Sequence, residues 1–281
     1  MTHSVVNTFI YENLQTVSQF NEHTRLCIYE PTHRLFIVKT ADLSCKYIYE
    51  AIMSLSNPYL AKILYIAEKD DCIEIVREYI SGETLADLMK YNKSLDKNTA
   101  VKIAGNICDG LADIHKLGYV HRDITPNNII ISSDGCTKII DFGIARDFSQ
   151  NKTSDTYILG TPGYAAPEQF GFSQSDARTD IYAVGVLLNV MLTGKMPNEQ
   201  KPSGELGRII KKCIEIDSAH RYKSINELKS VLYNKSSESN LLDRIIKHIP
   251  GKCCARDRFP DSQVIGIQKT DIFCSLYSAF P

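Results

Sequence analysis

The sequence predicts an α+β fold with two lobes, a small lobe built on an antiparallel sheet and a larger helical lobe. Two observations predict it. The first 80 residues contain short runs rich in β-branched and aromatic residues that are separated by turns, whereas from residue 83 apolar residues recur at helical spacing. With 281 residues, 43% of them hydrophobic, the chain is also long enough to bury a large core.

The small lobe is predicted to contain two hairpins, at residues 25–40 and 61–80. Between them Ile48, Ile52 and Leu55 repeat at helical spacing, which predicts a short amphipathic helix. The chain is expected to pass from the small lobe to the large one near residues 78–82.

The large lobe is predicted to be mainly helical. A first long helix should end at Gly118, which suits a helix C-terminus, and two short strands should flank the Asp134–Gly135 turn. A helix that is apolar on nearly all sides belongs at the centre of such a lobe. The predicted segments are residues 98–118 and 180–194 for the long helices, 128–132 and 137–141 for the strands, and 205–216 and 224–233 for two amphipathic helices.

Charge and composition exclude several functions. The formal net charge is −1, so no overall basic field favours nucleic acid or an anionic membrane. We see neither a signal peptide nor a membrane-spanning run, and we therefore expect a cytoplasmic protein. The nine cysteines include no CxxC pair, which makes reduced thiols a better expectation than a zinc site or a disulfide framework.

The chemistry-bearing residues follow the first long helix. Asp123 and Asn128 lie five residues apart in VHRDITPNNIII, and Asp141 follows Asn128 after thirteen residues, across the predicted strand pair. Any one of these could be an ordinary polar residue in a turn. Together, a carboxylate for a substrate hydroxyl and two oxygen ligands for magnesium are what phosphoryl transfer requires. The order and spacing therefore predict Asp123 as the catalytic residue and Asn128 and Asp141 as metal ligands.

These motifs resemble the eukaryotic-type (Hanks-type) Ser/Thr protein kinases, most closely the compact bacterial members. The resemblance implies a two-lobed protein-kinase-like fold at residues 11–233, with lobes at about 11–80 and 81–233, and a C-terminal tail of unknown fold at 234–281. It also implies ATP and Mg²⁺ as cofactors and Ser or Thr residues of protein substrates as acceptors. Oligomeric state cannot be inferred.

The resemblance also assigns residues to the nucleotide site. Lys39 in FIVK matches the strand lysine that contacts the α- and β-phosphates. In VREYI, backbone groups of Glu78 and Ile80 would hydrogen-bond adenine, and Arg77 occupies the gatekeeper position, where a smaller or apolar residue is more usual.

Further residues are implied to support the site. Glu168, which closes GTPGYAAPE, would pair with Arg221, and Asp180 would brace the catalytic loop. His121 is expected to pack inside the lobe without proton chemistry.

A regulatory role is implied for Arg122, which would bind a phosphate on the segment that follows Asp141. Thr153, Ser154 and Thr156 lie in that segment, and Thr156 has the best spacing from GTPGYAAPE. We therefore predict autophosphorylation at Thr156.

Three features depart from the family pattern. Ser18, Phe20 and His23 stand where a glycine-rich loop is usual, so backbone amides should cover the phosphates less closely. Thr125 replaces a lysine that would bring positive charge to the γ-phosphate. The helix glutamate that should pair with the strand lysine is undecided, because Glu50 lies nearly opposite the apolar stripe of its helix.

Three functions remain open from sequence. An active Ser/Thr protein kinase is the main hypothesis. The departures favour a pseudokinase that binds a nucleotide or a partner without transfer. A small-molecule phosphotransferase would share Asp123 and Asn128, but GTPGYAAPEQ indicates a polypeptide substrate instead.

Overall fold

The computed structural model describes residues 3–142, 146–147, 160–170 and 175–236. Within them, a five-stranded antiparallel sheet is followed by a helical region, and the polypeptide passes from one to the other once. This confirms the predicted α+β fold with two lobes.

The small lobe is organised around one sheet with the strand order β1-β2-β3-β5-β4. Both predicted hairpins form, with β2 against β3 and β4 against β5. Sequence analysis also missed part of the sheet, because β1 is polar and mostly exposed. The strands are β1 (Gln15–Asn21), β2 (Thr24–Tyr29), β3 (Arg34–Asp42), β4 (Ile63–Glu68) and β5 (Cys72–Glu78).

Two helices cover the opposite faces of this sheet. Helix α2 (Lys46–Met53) buries Ile48 and Ile52, as their spacing predicted. On the other face, helix α1 (His3–Glu12), which was not predicted, brings Tyr11 against Tyr65 and within hydrogen-bonding distance of Glu74. Both faces of the sheet are therefore packed against other elements.

The large lobe consists mainly of helices, and its centre is the apolar helix that sequence analysis predicted. That helix, α5, begins with a capping box formed by Asp176 and Thr179 and ends at Gly194, whose left-handed φ of 69° a side chain would disfavour. It packs against α4 and α6. The helices are α3 (Leu85–Tyr91), α4 (Lys97–Lys116), α5 (Ala177–Thr193), α6 (Gly204–Cys213) and α7 (Ile225–Ser236).

Short strands connect the lobes and position the catalytic loop. The predicted pair around Asp134–Gly135 forms as β8 and β9, and β6 adds to its edge. Backbone hydrogen bonds from Ala61 to Ile139 and from Ile139 to Tyr59 tie β9 to the segment before β4. The ends of β8 and β9 thus lie beneath the small lobe. The strands are β6 (Gly82–Thr84), β7 (Tyr119–Val120), β8 (Ile129–Ser132), β9 (Thr137–Ile139) and β10 (Arg146–Asp147), of which β7 pairs with β10.

No helix among the described residues is long and apolar enough to cross a membrane.

Candidate active site

Asp123 lies in the loop between β7 and β8, and two side chains hold its carboxylate. The amide nitrogen of Asn128 donates to Oδ2 of Asp123 at 2.7 Å and to its backbone carbonyl at 2.9 Å. The hydroxyl of Thr161 donates to Oδ1 at 2.7 Å. These contacts fix the orientation of a partly exposed carboxylate, as a group that receives a proton from a substrate requires.

Lys39 and Asp141 meet across the two lobes, although 102 residues separate them. The ammonium nitrogen of Lys39 on β3 lies 2.6 Å from both carboxylate oxygens of Asp141, which follows β9. Both side chains keep partial exposure, at 23% and 33%. The predicted phosphate-binding lysine and the predicted metal ligand therefore form an ion pair in this structure.

A cavity of about 480 Å³ contains these groups. Lys39, Asp123 and Asp141 line it together with residues of the β1–β2 turn, of the end of β3 and of the start of β5. The structure thus brings Lys39, Asp123 and Asp141 to one space. The other lining residues are His23, Thr40, Ala41, Asp42, Cys45, Asp71 and Cys72.

The segment predicted to contact adenine is bonded to the residue just before β4. The backbone amide of Glu78 donates to the carbonyl of Lys62 at 3.0 Å, and its carboxylate accepts from Lys138 at 2.7 Å. Arg77 extends a guanidinium to 3.4 Å from the Glu78 carbonyl. Ile80 is buried. The adenine contacts stay a prediction.

Asp180 braces the backbone just before Asp123. Its carboxylate accepts from the amides of His121 at 2.9 Å and Arg122 at 2.8 Å, and its Oδ2 lies 2.7 Å from Nε2 of His115. Burial alone would raise the pKa of Asp180, but the hydrogen bonds from the histidines hold that pKa below its ordinary value. The Asp180 carboxylate at the start of α5 therefore positions the backbone of His121 and Arg122.

His121 is fully buried, and its ring meets Phe142 edge-on with 5.5 Å between ring centroids. Its Nδ1 accepts from the backbone amide of Asp123 at 3.3 Å. Burial lowers the pKa of His121 below its ordinary value, against the opposing effect of nearby carboxylates, above all that of Asp180. A neutral ring in this position is a packing element.

Glu168 and Arg221 form a buried, two-pronged ion pair. Nη1 of Arg221 lies 2.7 Å from Oε1 of Glu168, and Nη2 lies 2.9 Å from Oε2. The hydroxyl of Thr179 donates to the same Oε1 at 2.8 Å. Paired donors and acceptors in this geometry compensate for burying both charges. The pair anchors the turn at Pro167–Phe170 to the large lobe.

Glu50 does not pair with Lys39. It is half exposed on α2 and lies 3.8 Å from Lys46. The side that α2 turns to the core carries Tyr49 instead, which is buried and meets Phe142 edge-on. The helix phase decides this question, because Ile48 and Ile52 fix which side faces inward.

The turn without glycines is short and pinned. β1 extends to Asn21, and the side chain of Asn21 accepts from the amide of His23 at 2.9 Å. The carbonyl of His23 then accepts from the amide of Thr40 on β3 at 2.7 Å. One side-chain hydrogen bond and one backbone hydrogen bond therefore hold this turn, which lacks the usual glycines, beside the cavity.

Of two other predicted positions, the structure describes Thr125 but not Thr156. Thr125 is buried at 2% exposure, and its carbonyl accepts from the amide of Asn128. Thr156 lies outside the described residues, as do Thr153 and Ser154, so its phosphorylation stays a prediction.

The donor set fits magnesium bound together with a nucleotide. Asn128 uses its amide nitrogen on Asp123, so its amide oxygen is the atom that remains for a cation, and Asp141 supplies carboxylate oxygens. Among the described residues no three His, Cys, Asp or Glu side chains form a metal-binding group. Mg²⁺ commonly takes one or two protein ligands and completes its coordination with phosphates and water.

Sequence analysis missed two residues of the site. Thr161 was quoted only as part of GTPGYAAPE, yet it contacts Asp123 directly. Gln169, one residue beyond the same motif, donates to the carbonyl of Arg122 at 2.9 Å. Their position in a segment expected to adjoin the catalytic loop was the only available signal.

A small antiparallel sheet above a helical lobe, with Lys39 and Asp141 facing Asp123 between them, defines a kinase-like protein. The chain belongs to the protein kinase domain family, whose family model matches residues 32–258. The predicted domain limits at residues 11 and 233 stay a prediction.

Several curated relatives are bacterial Ser/Thr kinases. A probable serine/threonine-protein kinase of Clostridium perfringens is 31% identical over 216 residues, which cover 68% of this chain and 31% of the relative. A similar protein of Clostridium acetobutylicum is 32% identical over 66% of this chain and 32% of its own. Serine/threonine-protein kinase PrkC of Bacillus subtilis is 31% identical over 64% of this chain and 32% of its own length. The match thus spans about a third of the length of these relatives.

Proposed function

We propose that the protein is an ATP- and Mg²⁺-dependent kinase that transfers the γ-phosphate of ATP to Ser or Thr residues of protein substrates. The observation that carries this proposal is the carboxylate of Asp123, held at 2.7 Å by both Asn128 and Thr161 on the cavity that also contains Lys39 and Asp141. Membership of the protein kinase family and the Ser/Thr kinase relatives support it.

Each of these side chains has a role in this chemistry. Asp123 orients the attacking hydroxyl and accepts its proton, while Lys39 contacts the phosphates of the nucleotide. Asn128 and Asp141 would hold Mg²⁺, which when bound neutralises charge on the phosphates. Because Asp141 pairs with Lys39, nucleotide binding must redistribute that ion pair.

A polypeptide acceptor is supported by the segment that ends at Glu168. Thr161 places this segment directly against Asp123, and the Glu168–Arg221 pair anchors its far end in the large lobe. An anchored stretch of backbone beside the catalytic carboxylate suits an extended peptide better than a small molecule.

A second candidate is a pseudokinase that binds a nucleotide or a partner without transfer. Three observations favour it: Lys39 is paired with Asp141, Glu50 faces away from Lys39, and the buried Thr125 brings no charge to the site. Both candidates allow nucleotide binding, so a binding measurement does not separate them and a transfer assay is needed.

The test is incubation of the purified protein with labelled ATP, MgCl₂ and dephosphorylated casein as a general acceptor. We expect label on the protein or on casein with the parent chain and none with Asp123→Asn, although that variant still binds ATP. Nucleotide binding with no transfer by the parent would reject the kinase proposal in favour of the pseudokinase.

A further inference from the structure

Gln169 is a fully buried amide between the catalytic loop and the segment that follows it. It has 0% exposure and lies in the turn Pro167–Phe170. Its Nε2 donates to the carbonyl of Arg122 at 2.9 Å, and its Oε1 accepts from the amide of Ala166 at 3.0 Å. One side chain thus pairs with a buried backbone acceptor and a buried backbone donor.

The contact with Arg122 is notable because Arg122 has an unfavourable backbone conformation. Its φ is 71°, a left-handed value that a long side chain rarely adopts. Such a conformation persists only when its surroundings hold it. The amide of Arg122 is held by Asp180 and its carbonyl by Gln169, so both peptide groups of this residue are fixed just before Asp123.

Gln169 also packs under the segment that carries Thr161. A Cβ atom built on Gly160 would lie 2.9 Å from Nε2 of Gln169 and 2.7 Å from Cβ of Ala165. The backbone just before Thr161 is therefore in close contact with the same amide that holds Arg122. Thr161 in turn donates to Asp123 at 2.7 Å. The Gln169 amide is therefore close both to the backbone of Arg122, which precedes Asp123, and to the residue before Thr161.

The turn that carries Gln169 is itself anchored. Its neighbour Glu168 forms the two-pronged pair with Arg221, and that pair is buried at 5% and 0% side-chain exposure. Adjacent residues of one short turn therefore point to different partners, with Glu168 bound to the body of the large lobe and Gln169 bound to the catalytic loop. A rigid anchor beside it allows the amide to hold Arg122 in a defined position.

We infer that Gln169 is a positioning residue for phosphoryl transfer, which fixes the backbone of Arg122 and so the placement of Asp123 against the substrate hydroxyl. The inference rests on the proposed function for its kinetic consequence. It assigns Gln169 no contact with the nucleotide. Its loss should therefore lower the turnover number and leave the KM for ATP unchanged, because displacement of a catalytic group by about 1 Å can cost about 100-fold in rate.

The experiment compares Gln169→Met with a matched control, Asn189→Leu. Asn189 is also fully buried, and its amide donates to the carbonyls of Lys195 and Gln200 at 2.8 and 2.9 Å, outside the catalytic loop. Both substitutions keep side-chain size and remove buried amide hydrogen bonds. Turnover number and KM for ATP are measured with dephosphorylated casein, and hydrogen–deuterium exchange is followed in a peptide that spans residues 119–128.

We expect Gln169→Met to lower the turnover number about 10- to 100-fold at unchanged KM and to accelerate exchange in the 119–128 peptide. Asn189→Leu should do neither, even where both variants lose similar thermal stability. If Gln169→Met fails to fold, Gln169→Ser replaces it, since its smaller side chain leaves space for water beside the Arg122 carbonyl, and the same fall in turnover is expected.

A normal turnover number in the Gln169 variant, or an equal loss in Asn189→Leu, would overturn the inference. Failure of the proposed function is distinguishable from failure of this inference. A parent protein without transfer activity rejects the kinase, and the exchange comparison then tests by itself whether Gln169 fixes the Arg122 backbone. Faster exchange at residues 119–128 in the Gln169 variant, and not in Asn189→Leu, supports that role, and unchanged exchange rejects it.

Discussion

The ammonium of Lys39 lies 2.6 Å from both carboxylate oxygens of Asp141. The same carboxylate is the one expected to bind Mg²⁺, so the lysine and the cation compete for it. In kinases of this family the strand lysine is expected to pair with a helix glutamate, but here Glu50 is turned away. The ion pair therefore takes the place of that contact in this structure.

This competition predicts how Mg²⁺ binds without nucleotide. In Lys39→Met the Asp141 carboxylate is released, so the cation should stabilise the variant at about two- to fivefold lower concentration than the parent, as loss of a partly exposed ion pair implies. Thermal unfolding during a MgCl₂ titration measures this. The double variant Lys39→Met/Asp141→Asn should lose the gain, and identical titrations for parent and Lys39→Met would contradict the expectation.

The hydrogen bond from Thr161 to Asp123 predicts that loss of the Thr161 hydroxyl lowers turnover. Thr161→Val keeps the shape of the side chain but removes the hydroxyl that donates to Asp123 at 2.7 Å. A hydrogen bond to a charged group contributes about 1.5–3 kcal/mol, which corresponds to a roughly 10- to 150-fold fall in turnover. Thr161→Ser retains the donor and should remain close to the parent in steady-state kinetics. Equal turnover of the valine and serine variants would exclude a role for the hydroxyl.

The buried Glu168–Arg221 pair predicts a large loss of stability when one partner is removed. Glu168→Gln leaves the guanidinium of Arg221, which is 0% exposed, without its counter-charge. We expect the free energy of unfolding to fall by about 3–5 kcal/mol, measured by urea denaturation. Arg178→Gln, which removes a more exposed ion pair with Asp176 on the same lobe, serves as the control and should cost far less. A similar small loss in both variants would contradict the prediction.

His121 predicts acid sensitivity. Its pKa in the folded protein lies below its ordinary value of 6.5, because burial disfavours the charged ring. As the pH falls through 6.5, the unfolded chain takes up a proton that the folded chain does not bind, so stability is present above that pH and decreases below it. The decrease approaches about 1.4 kcal/mol per pH unit for one proton. Urea denaturation of the parent and His121→Gln between pH 7.5 and 5 should give different slopes, and parallel curves would show that His121 contributes nothing.

Autophosphorylation at Thr156 stays a prediction from sequence. Mass spectrometry of protein incubated with ATP and MgCl₂ should find phosphate at Thr153, Ser154 or Thr156, with Thr156 modified most, because a phosphate there can pair with Arg122. Replacing all three residues by alanine should lower activity. Full activity of the triple variant would reject the regulatory role.

Sequence periodicity could predict elements whose burial pattern is local. Ile48 and Ile52 correctly placed α2, and the apolar run after Asp180 correctly placed α5. The first strand escaped prediction because its residues are mostly exposed and polar, so its place at the sheet edge leaves no alternation to read. Helix α1 escaped because its one clear packing face meets the sheet through residues far away in sequence, such as Glu74.

The candidate site shows the same limit. The spacing of Asp123, Asn128 and Asp141 could be used to place them in one loop and after one strand pair, whereas their chemical roles stay predictions. Thr161 and Gln169 contact the catalytic loop from 38 and 47 residues away, and their side chains have no local pattern. The phase of Glu50 could be read only once the packing of α2 showed which side faces the core.

The covering of the small sheet by α1 bears on how the protein should be produced. The family match begins at residue 32, and an expression plasmid cut at that point would omit α1, β1 and β2. Such a fragment would present β3 as an open edge and uncover Phe36 and Val38, which are buried in the whole chain. Unpaired strand edges with apolar side chains pair with other chains, so we expect the shortened protein to aggregate or to accumulate in inclusion bodies. Recombinant versions should therefore retain α1, β1 and β2.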